Sequence, residues 1–321
     1  MQYSFCGKSG LQVPKISLGL WHNFGAVDDF TVATDMICHA FDEGITHFDL
    51  ANNYGPPSGN AEIVFGKILA KELKNHRDEI IISSKAGHLM WNGPYGDGGS
   101  RKSLMANINQ SLKRTGLEYF DIFYSHRYDP QTPVEETVQA LIDIVRCGKA
   151  LYAGLSKYPA EQAQKAYEMM RAQNVPCIAY QGRYNLLHRA PENDIFELNE
   201  KYGTGFIAFS PLAQGVLTGR YLHGIPENSR AAKSWGYLKS GDITDEVIGR
   251  VARLNEMAVG RGQSLAAMSL AWLLAKPQVA SVIVGASSVE QLQDNIKALD
   301  HCRFEADELA RIENILKAGN S

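Results

Sequence analysis

The sequence predicts an α/β chain folded as a (β/α)8 TIM barrel, with an N-terminal β-hairpin plug and extra C-terminal helices. Three observations carry that reading. Short runs rich in β-branched and aromatic residues recur along the chain, and most are continuous rather than alternating, as expected of strands buried on both faces. Helical segments separate them, so strands repeat every roughly 26 to 41 residues, the length of one strand, one helix and two loops. The 321 residues suit eight such units in a single domain spanning 1–321.

In chain order, residues 3–13 (YSFCGKSGLQV) read as a small hairpin turning at Gly7–Gly10, placed to plug the barrel bottom. Strands are expected at Ile16–Leu20, Thr46–Asp49, Ile80–Ser84, Tyr119–Ser125, Ala150–Leu155, Cys177–Gln181, Phe206–Phe209 and Ser281–Val284. Ala33, Met36, Ile37, Ala40 and Phe41 form a helical apolar stripe that ends at Gly44, a C′ position. Asn60–Asn75, Ser100–Gly116, Pro133–Arg146 and Pro159–Gln173 behave alike, with Pro133 and Pro159 suited to first-turn positions. Ser288 and Gln291 read as an S-x-x-Q capping box ahead of Leu292, Ile296 and Leu299. The connection before the eighth strand is unusually long and holds a polar, Gly-rich loop, Gly215–Asp242. Glu305–Lys317 reads as a final amphipathic helix packed outside the barrel.

Apolar residues at 45% suffice for a large core, and a net charge of −3 argues against a nucleic-acid or anionic-membrane partner, since either needs a concentrated basic face. No apolar run reaches the ~18 residues of a membrane span. Met1 is followed by polar QYSFCGKSG without a hydrophobic signal core. The five cysteines show no C-x-x-C pairing and read as reduced thiols. A cytoplasmic location is expected.

Nucleotide and metal motifs are absent or false. Gly203-Thr-Gly205-Phe-Ile-Ala208 has the letters of a dinucleotide loop but precedes a strand instead of following one. No P-loop, H-E-x-x-H or paired-cysteine spacing occurs, so no metal is expected.

Four polar residues stand at strand ends: Asp49 and Tyr54 in HFDLANNYG, Lys85 in IIISSKAG, and His126 in FDIFYSHR. In a parallel barrel those ends share one functional face. A free phenol titrates near ~10, too high for efficient acid work at neutral pH. An ammonium beside it favours phenolate, and a buried lysine keeps its proton only if a carboxylate holds it. The four therefore read as a relay, Asp49 to Lys85 to Tyr54, with His126 orienting a carbonyl oxygen or assisting proton transfer. Lys85 could instead form a Schiff base, as in barrel aldolases, a chemistry that does not require the phenol.

On these residues the chain resembles the aldo-keto reductases, and the resemblance covers essentially all of it. FDLANNYG with Lys85 and His126 looks like the family's tetrad in order, spacing and strand-end placement. LGLWHNFG, AFSPLAQGVLTGRY, GIPENSR and VGASSVEQLQDNI are most similar to the branch that contains bacterial L-glyceraldehyde 3-phosphate reductases and voltage-gated potassium channel β-subunits.

The resemblance implies NADPH-dependent reduction of small aldehydes, such as glyceraldehyde 3-phosphate or methylglyoxal, with Tyr54 as general acid. It implies that Ser156 and Gln181 hold the nicotinamide carboxamide, that Phe209 lies against the ring, and that Ser210, Leu212, Gly215 and Arg220 follow the pyrophosphate. Arg230, Gly285, Ser287 and Gln291 would surround the adenosine phosphate, and Asn295 the adenine. The sequence departs from the family at three of these places: Lys157 follows Ser156 where Asn or Arg is common, Phe209 replaces a tyrosine or tryptophan, and Gln291 stands where others have an arginine. Trp21, Trp91, Tyr54 and His126 would wall the substrate pocket under the loop 87–99, with Arg127 facing either a substrate phosphate or a surface ion pair. A homo-oligomer, tetramer or larger, is expected from the branch. The alternative reading is a cofactor-sensing regulatory β-subunit with weak turnover. Such subunits carry an N-terminal inactivating extension, whereas the plug here begins at Tyr3.

Overall fold

The computed structural model describes residues 1–226, 231 and 238–317. A two-stranded antiparallel hairpin, β1 (Tyr3–Phe5) and β2 (Gln12–Pro14), precedes the barrel. The barrel strands are β3 (Ile16–Gly19), β4 (His47–Asp49), β5 (Ile81–Ala86), β6 (Phe120–Ser125), β7 (Ala150–Ser156), β8 (Cys177–Arg183), β9 (Gly205–Phe209) and β10 (Val279–Val284). They pair in parallel and in sequence order, and β10 pairs with β3 to close the barrel. The expected eight-stranded fold and all eight strand positions hold, with ends shifted by one or two residues.

The surrounding helices are α1 (Phe30–Asp42), α2 (Asn60–Ile68), α3 (Arg101–Thr115), α4 (Val134–Arg146), α5 (Ala160–Ala172) and α6 (Ile195–Tyr202). They continue as α7 (Asp245–Gly260), α8 (Leu265–Leu274), α9 (Val289–Ile296) and α10 (Ala306–Lys317). Helix α1 is capped by the Asp29 carboxylate, which accepts from the Thr31 and Val32 amides, and the chain leaves it through Gly44 at φ 81°. Pro133 and Pro159 occupy the N-cap positions with extended ψ rather than the first turn. Each sets the backbone direction into its helix but offers no side-chain acceptor. The α-helix expected to Asn75 ends at Ile68 and continues as a π turn and a 3-10 turn to Glu79. Half of the expected capping box forms. Ser288 Oγ accepts from the Gln291 amide, while the Gln291 carboxamide accepts from Ser287 and not from Ser288.

Strand alternation divides the core in two. Phe48, Ile82 and Phe123 point outward into the layer beneath the helices, while Ile81, Ile122 and Tyr124 belong to the barrel interior. The hairpin closes the bottom of that interior: Cys6 Sγ donates to the Ile178 carbonyl and Ser4 Oγ to the Ala280 carbonyl. Gly7 allows this closeness, because a Cβ there would lie 2.2 Å from the Gly203 oxygen. All five cysteines are free thiols.

On the outer layer, Glu62 of α2 is fully buried, accepting from Ser84 Oγ at 2.6 Å and from Arg114 Nε at 2.7 Å. An unpaired buried carboxylate is costly, whereas an exposed pair contributes little. Arg114→Ala is therefore expected to cost about 3 kcal/mol or more in urea denaturation. Arg101→Ala, which breaks the exposed pair with Asp143, should cost less than about 1 kcal/mol. Equal losses in the two variants would refute the buried-pair account.

Candidate active site

The site grows from the alternation of β4 and β5. His47 and Asp49 face inward from β4, and Ser83 and Lys85 from β5, with Asp49 opposite Ser83 in register. Lys85 is fully buried and donates to Asp49 Oδ2 at 2.6 Å and to the Leu50 carbonyl at 2.6 Å. The other carboxylate oxygen, Oδ1, accepts from Ser83 Oγ at 2.7 Å and from Gln181 Nε2 at 2.9 Å. Burial pulls the Lys85 ammonium below the ordinary lysine value, and the Asp49 carboxylate opposes that pull.

Beneath Asp49 a column of polar side chains runs down the barrel. Ser83 Oγ lies 2.9 Å from His47 Nε2, and His47 Nδ1 lies 2.8 Å from Ser17 Oγ. Ser17 Oγ is 2.6 Å from Ser281 Oγ, which donates to the Pro14 carbonyl. Burial pulls His47 down to about 4, so its ring is neutral near pH 7. Ser83, a neutral His47, Ser17 and Ser281 bring one hydrogen each to a column of five links that ends on acceptors at both Asp49 and Pro14. One link is therefore short of a hydrogen unless the ring is protonated.

Tyr54 sits on the turn after β4, where its carbonyl accepts from the Gly59 and Ala61 amides. Its ring centroid is 4.9 Å from Lys85 Nζ, and the His126 ring stands edge-on 5.9 Å away. Trp21 lies 6.2 Å from Tyr54 on the other side. His126 is buried and its Nδ1 has no hydrogen-bond partner. Burial, reinforced by Lys85 and Lys157, holds it well below the usual histidine range, so the imidazole is neutral. All four tetrad candidates thus converge at the C-terminal rim, with phenol, ammonium and imidazole around one space.

That space opens into a cavity of about 470 Å³ running from Asp49, Tyr54 and Trp21 across the barrel mouth. Gln181, Phe209, Ser210 and Leu212 line its middle, and Gly215, Arg220, Gly285, Ser287 and Gln291 its far part. After β9 the backbone takes left-handed values at Ser210, Ala213, Gln214 and Gly215 (φ 53°, 46°, 57° and 99°). Such values in non-glycine residues cost of order 1 kcal/mol each and concentrate at functional sites. Ser156 Oγ and Asn295 Nδ2 are buried without partners, and neither side chain is among those that line the cavity. The residues fit an extended ligand with polar groups at both ends. Ser287 and Gln291 bond to each other, as the half-formed cap requires. Arg230 lies outside the described residues.

The aldo/keto reductase family profile matches residues 15–317. The chain belongs to that family. It is 51% identical to the L-glyceraldehyde 3-phosphate reductase of Escherichia coli K12, over 99% of this chain and 93% of that protein. It is 38% identical to a probable voltage-gated potassium channel subunit beta from rice, over 94% of this chain and 92% of that one. A putative subunit of the same description from Schizosaccharomyces pombe is 36% identical, over 98% and 93%. As an aldo-keto reductase the protein is a nicotinamide-dependent oxidoreductase, and no helix among its described residues is long and apolar enough to cross a membrane.

Three of the expected pocket residues, Trp91, His126 and Arg127, are not among the residues that line the cavity. Trp91 is 37% exposed in the loop 87–99, which is tied by the Gly99 amide to Asp129. Arg127 pairs with Asp97 at 2.8 Å. Other residues enter the site that the sequence alone did not single out, although most lie within the segments LGLWHNFG and AFSPLAQGVLTGRY. His22, Gln214, Thr218 and Tyr221 line the cavity, and Asn23 Nδ2 joins the ends of β3 and β10 by donating to the Ala286 carbonyl. His88 packs edge-on against His126 at 4.4 Å, and Lys157 Nζ lies 2.9 Å from His88 Nε2.

The buried histidines give a sign for pH dependence. His47 binds its proton near 6.5 when unfolded and only near about 4 when folded, so its contribution is complete above 6.5 and is lost as pH falls toward 4. The loss is up to about 1.4 kcal/mol per pH unit. Urea midpoints should therefore fall between pH 7 and pH 5, and His47→Gln should reduce that slope. A midpoint that holds steady or rises on acidification would contradict the assignment.

Proposed function

We propose that this reductase converts small aldehydes to alcohols with NADPH, Tyr54 supplying the proton to the carbonyl oxygen. The observation that carries the reading is the fully buried Lys85 ammonium, held by Asp49 at 2.6 Å and lying 4.9 Å from the Tyr54 ring. NADPH, when bound, supplies the hydride. Ser156, Gln181 and Phe209 would hold its nicotinamide, Ser210, Leu212, Gly215 and Arg220 its pyrophosphate, and Gly285, Ser287, Gln291 and Asn295 its adenosine end, with Arg230 added from the loop.

The chemistry follows from what the side chains can do. As charge builds on the carbonyl oxygen, Tyr54 transfers its proton, and Lys85 favours the phenolate left behind. Asp49, with its donors from Ser83 and Gln181, keeps Lys85 charged and fixed. A neutral His126 orients the oxygen by hydrogen bonding without competing as a proton source. A Schiff-base role for Lys85 is disfavoured, because its nitrogen is committed to Asp49 and the Leu50 carbonyl. The relative at 51% identity bears the name L-glyceraldehyde 3-phosphate reductase, which supports a three-carbon aldehyde, and methylglyoxal has the same number of carbons.

The channel-subunit relatives at 38% identity support a second reading, a cofactor-sensing protein with weak turnover. Turnover separates the two. NADPH oxidation with glyceraldehyde 3-phosphate should proceed through many cycles per site, and a single slow turnover would favour the second reading. Tyr54→Phe should lower kcat by roughly 100- to 10,000-fold with the NADPH dissociation constant near wild type. Activity surviving in that variant would overturn the acid assignment.

A further inference from the structure

We propose that Lys157 and His88 form an anion subsite beside His126, built to take the phosphate of a short phosphorylated aldehyde. The proposal rests on the aldehyde-reductase reading and deepens it.

The geometry begins at His126. Its ring meets His88 at 4.4 Å, and His88 Nε2 lies 2.9 Å from the Lys157 ammonium. Arg127 follows His126 directly in sequence, and a Cβ on Gly87 would lie 3.5 Å from the His126 amide nitrogen and 3.7 Å from that of Arg127. From the His126 imidazole the contacts therefore run to a second imidazole and on to the Lys157 ammonium.

Charge in this corner is unbalanced. Lys157 has a neutral imidazole as its partner, and among the described residues it forms no ion pair with a carboxylate. Arg127 has Asp97, a half-exposed loop residue. Burial, Lys85 and Arg127 pull Lys157 down to about 8, and burial, Lys157 and Arg127 pull His88 down to about 4. These groups destabilise one another's charge, and a dianion between them removes the conflict.

The backbone gives an independent sign. Lys157 has φ 55° at the exit of β7, its amide held by the Gln181 carbonyl at 3.2 Å. Glycine or asparagine takes that conformation at lower cost. A long cationic side chain held there in spite of the cost points to a use for the charge. Lys157 keeps surface exposed at the rim, where an incoming substrate reaches it, although the protein packed around it desolvates its charge.

The test compares glyceraldehyde 3-phosphate with glyceraldehyde in NADPH oxidation by the full-length enzyme. Lys157→Met should lower kcat/KM for the phosphorylated aldehyde by roughly 10- to 100-fold, the worth of one hydrogen bond to a charged group. The loss should fall mainly on KM, with glyceraldehyde changed by less than about 3-fold. Lys157→Arg should restore most of it, and His88→Asn should show a smaller loss in the same direction. The NADPH dissociation constant, followed by fluorescence, should not move. Equal losses on both aldehydes, weakened NADPH binding, or no loss at all would each overturn the subsite. Glycerol 3-phosphate, which cannot be reduced, reads the subsite without turnover: calorimetry should detect its binding to wild type and not to Lys157→Met. Binding without turnover of any aldehyde would sink the reductase reading and leave the subsite standing, and no binding to wild type would overturn the subsite itself.

Discussion

The structure depends on one buried ion pair, Lys85 with Asp49, set where a barrel ordinarily packs aliphatic side chains. Removing two charges from water costs several kcal/mol per ion, and their attraction repays it only with good geometry and further hydrogen bonds. Both conditions are met here. Lys85 also reaches the Leu50 carbonyl, and Asp49 also accepts from Ser83 and Gln181, so β4, β5 and β8 all hold the pair. An apolar pair of the same volume would stabilise the fold at least as well. On the proposed reading, the charges remain because a phenol beside a fixed ammonium becomes a useful proton donor.

That pair shapes the surroundings in two directions. Below it, the Ser83–His47–Ser17–Ser281 column fills the lower barrel with hydrogen-bonded side chains down to the plug at Pro14. Above it, positive charge gathers at the rim, and His126 and His88 respond by staying neutral. On the proposed reading, a cation-rich rim over the buried Asp49 carboxylate would stabilise negative charge developing on a carbonyl oxygen there. The cavity extends from this point along the left-handed backbone after β9, so the reacting end and the ligand-holding end share one wall.

Much of this was legible from local pattern. Buried strands announced themselves as continuous apolar runs, and strand-end polar residues in a parallel barrel fall on one face, so Asp49, Tyr54, Lys85 and His126 could be grouped without coordinates. Other features were not legible, for identifiable reasons. Trp91 was expected in the pocket wall because it is aromatic, yet a glycine-rich loop has no periodicity to fix where a side chain points, and the ring is partly solvent-exposed. The prolines before α4 and α5 stand one position earlier than expected, because φ near −60° suits the N-cap as well as the first turn. The Ser288 cap is half a box because Gln291 found the Ser287 amide and hydroxyl first.

By itself the sequence determined the strand count, their order and the family, and it placed four polar residues at strand ends, because these depend on short-range periodicity and on motifs read residue by residue. Only the tertiary structure decided which ring nitrogens lack partners, that His47 supports Asp49 through Ser83, and that His88 and Lys157 meet beside His126. Those are contacts between residues tens of positions apart, each of a type that occurs throughout any protein. Nothing in the local pattern distinguishes them until barrel closure brings the strand ends together and removes the water around them.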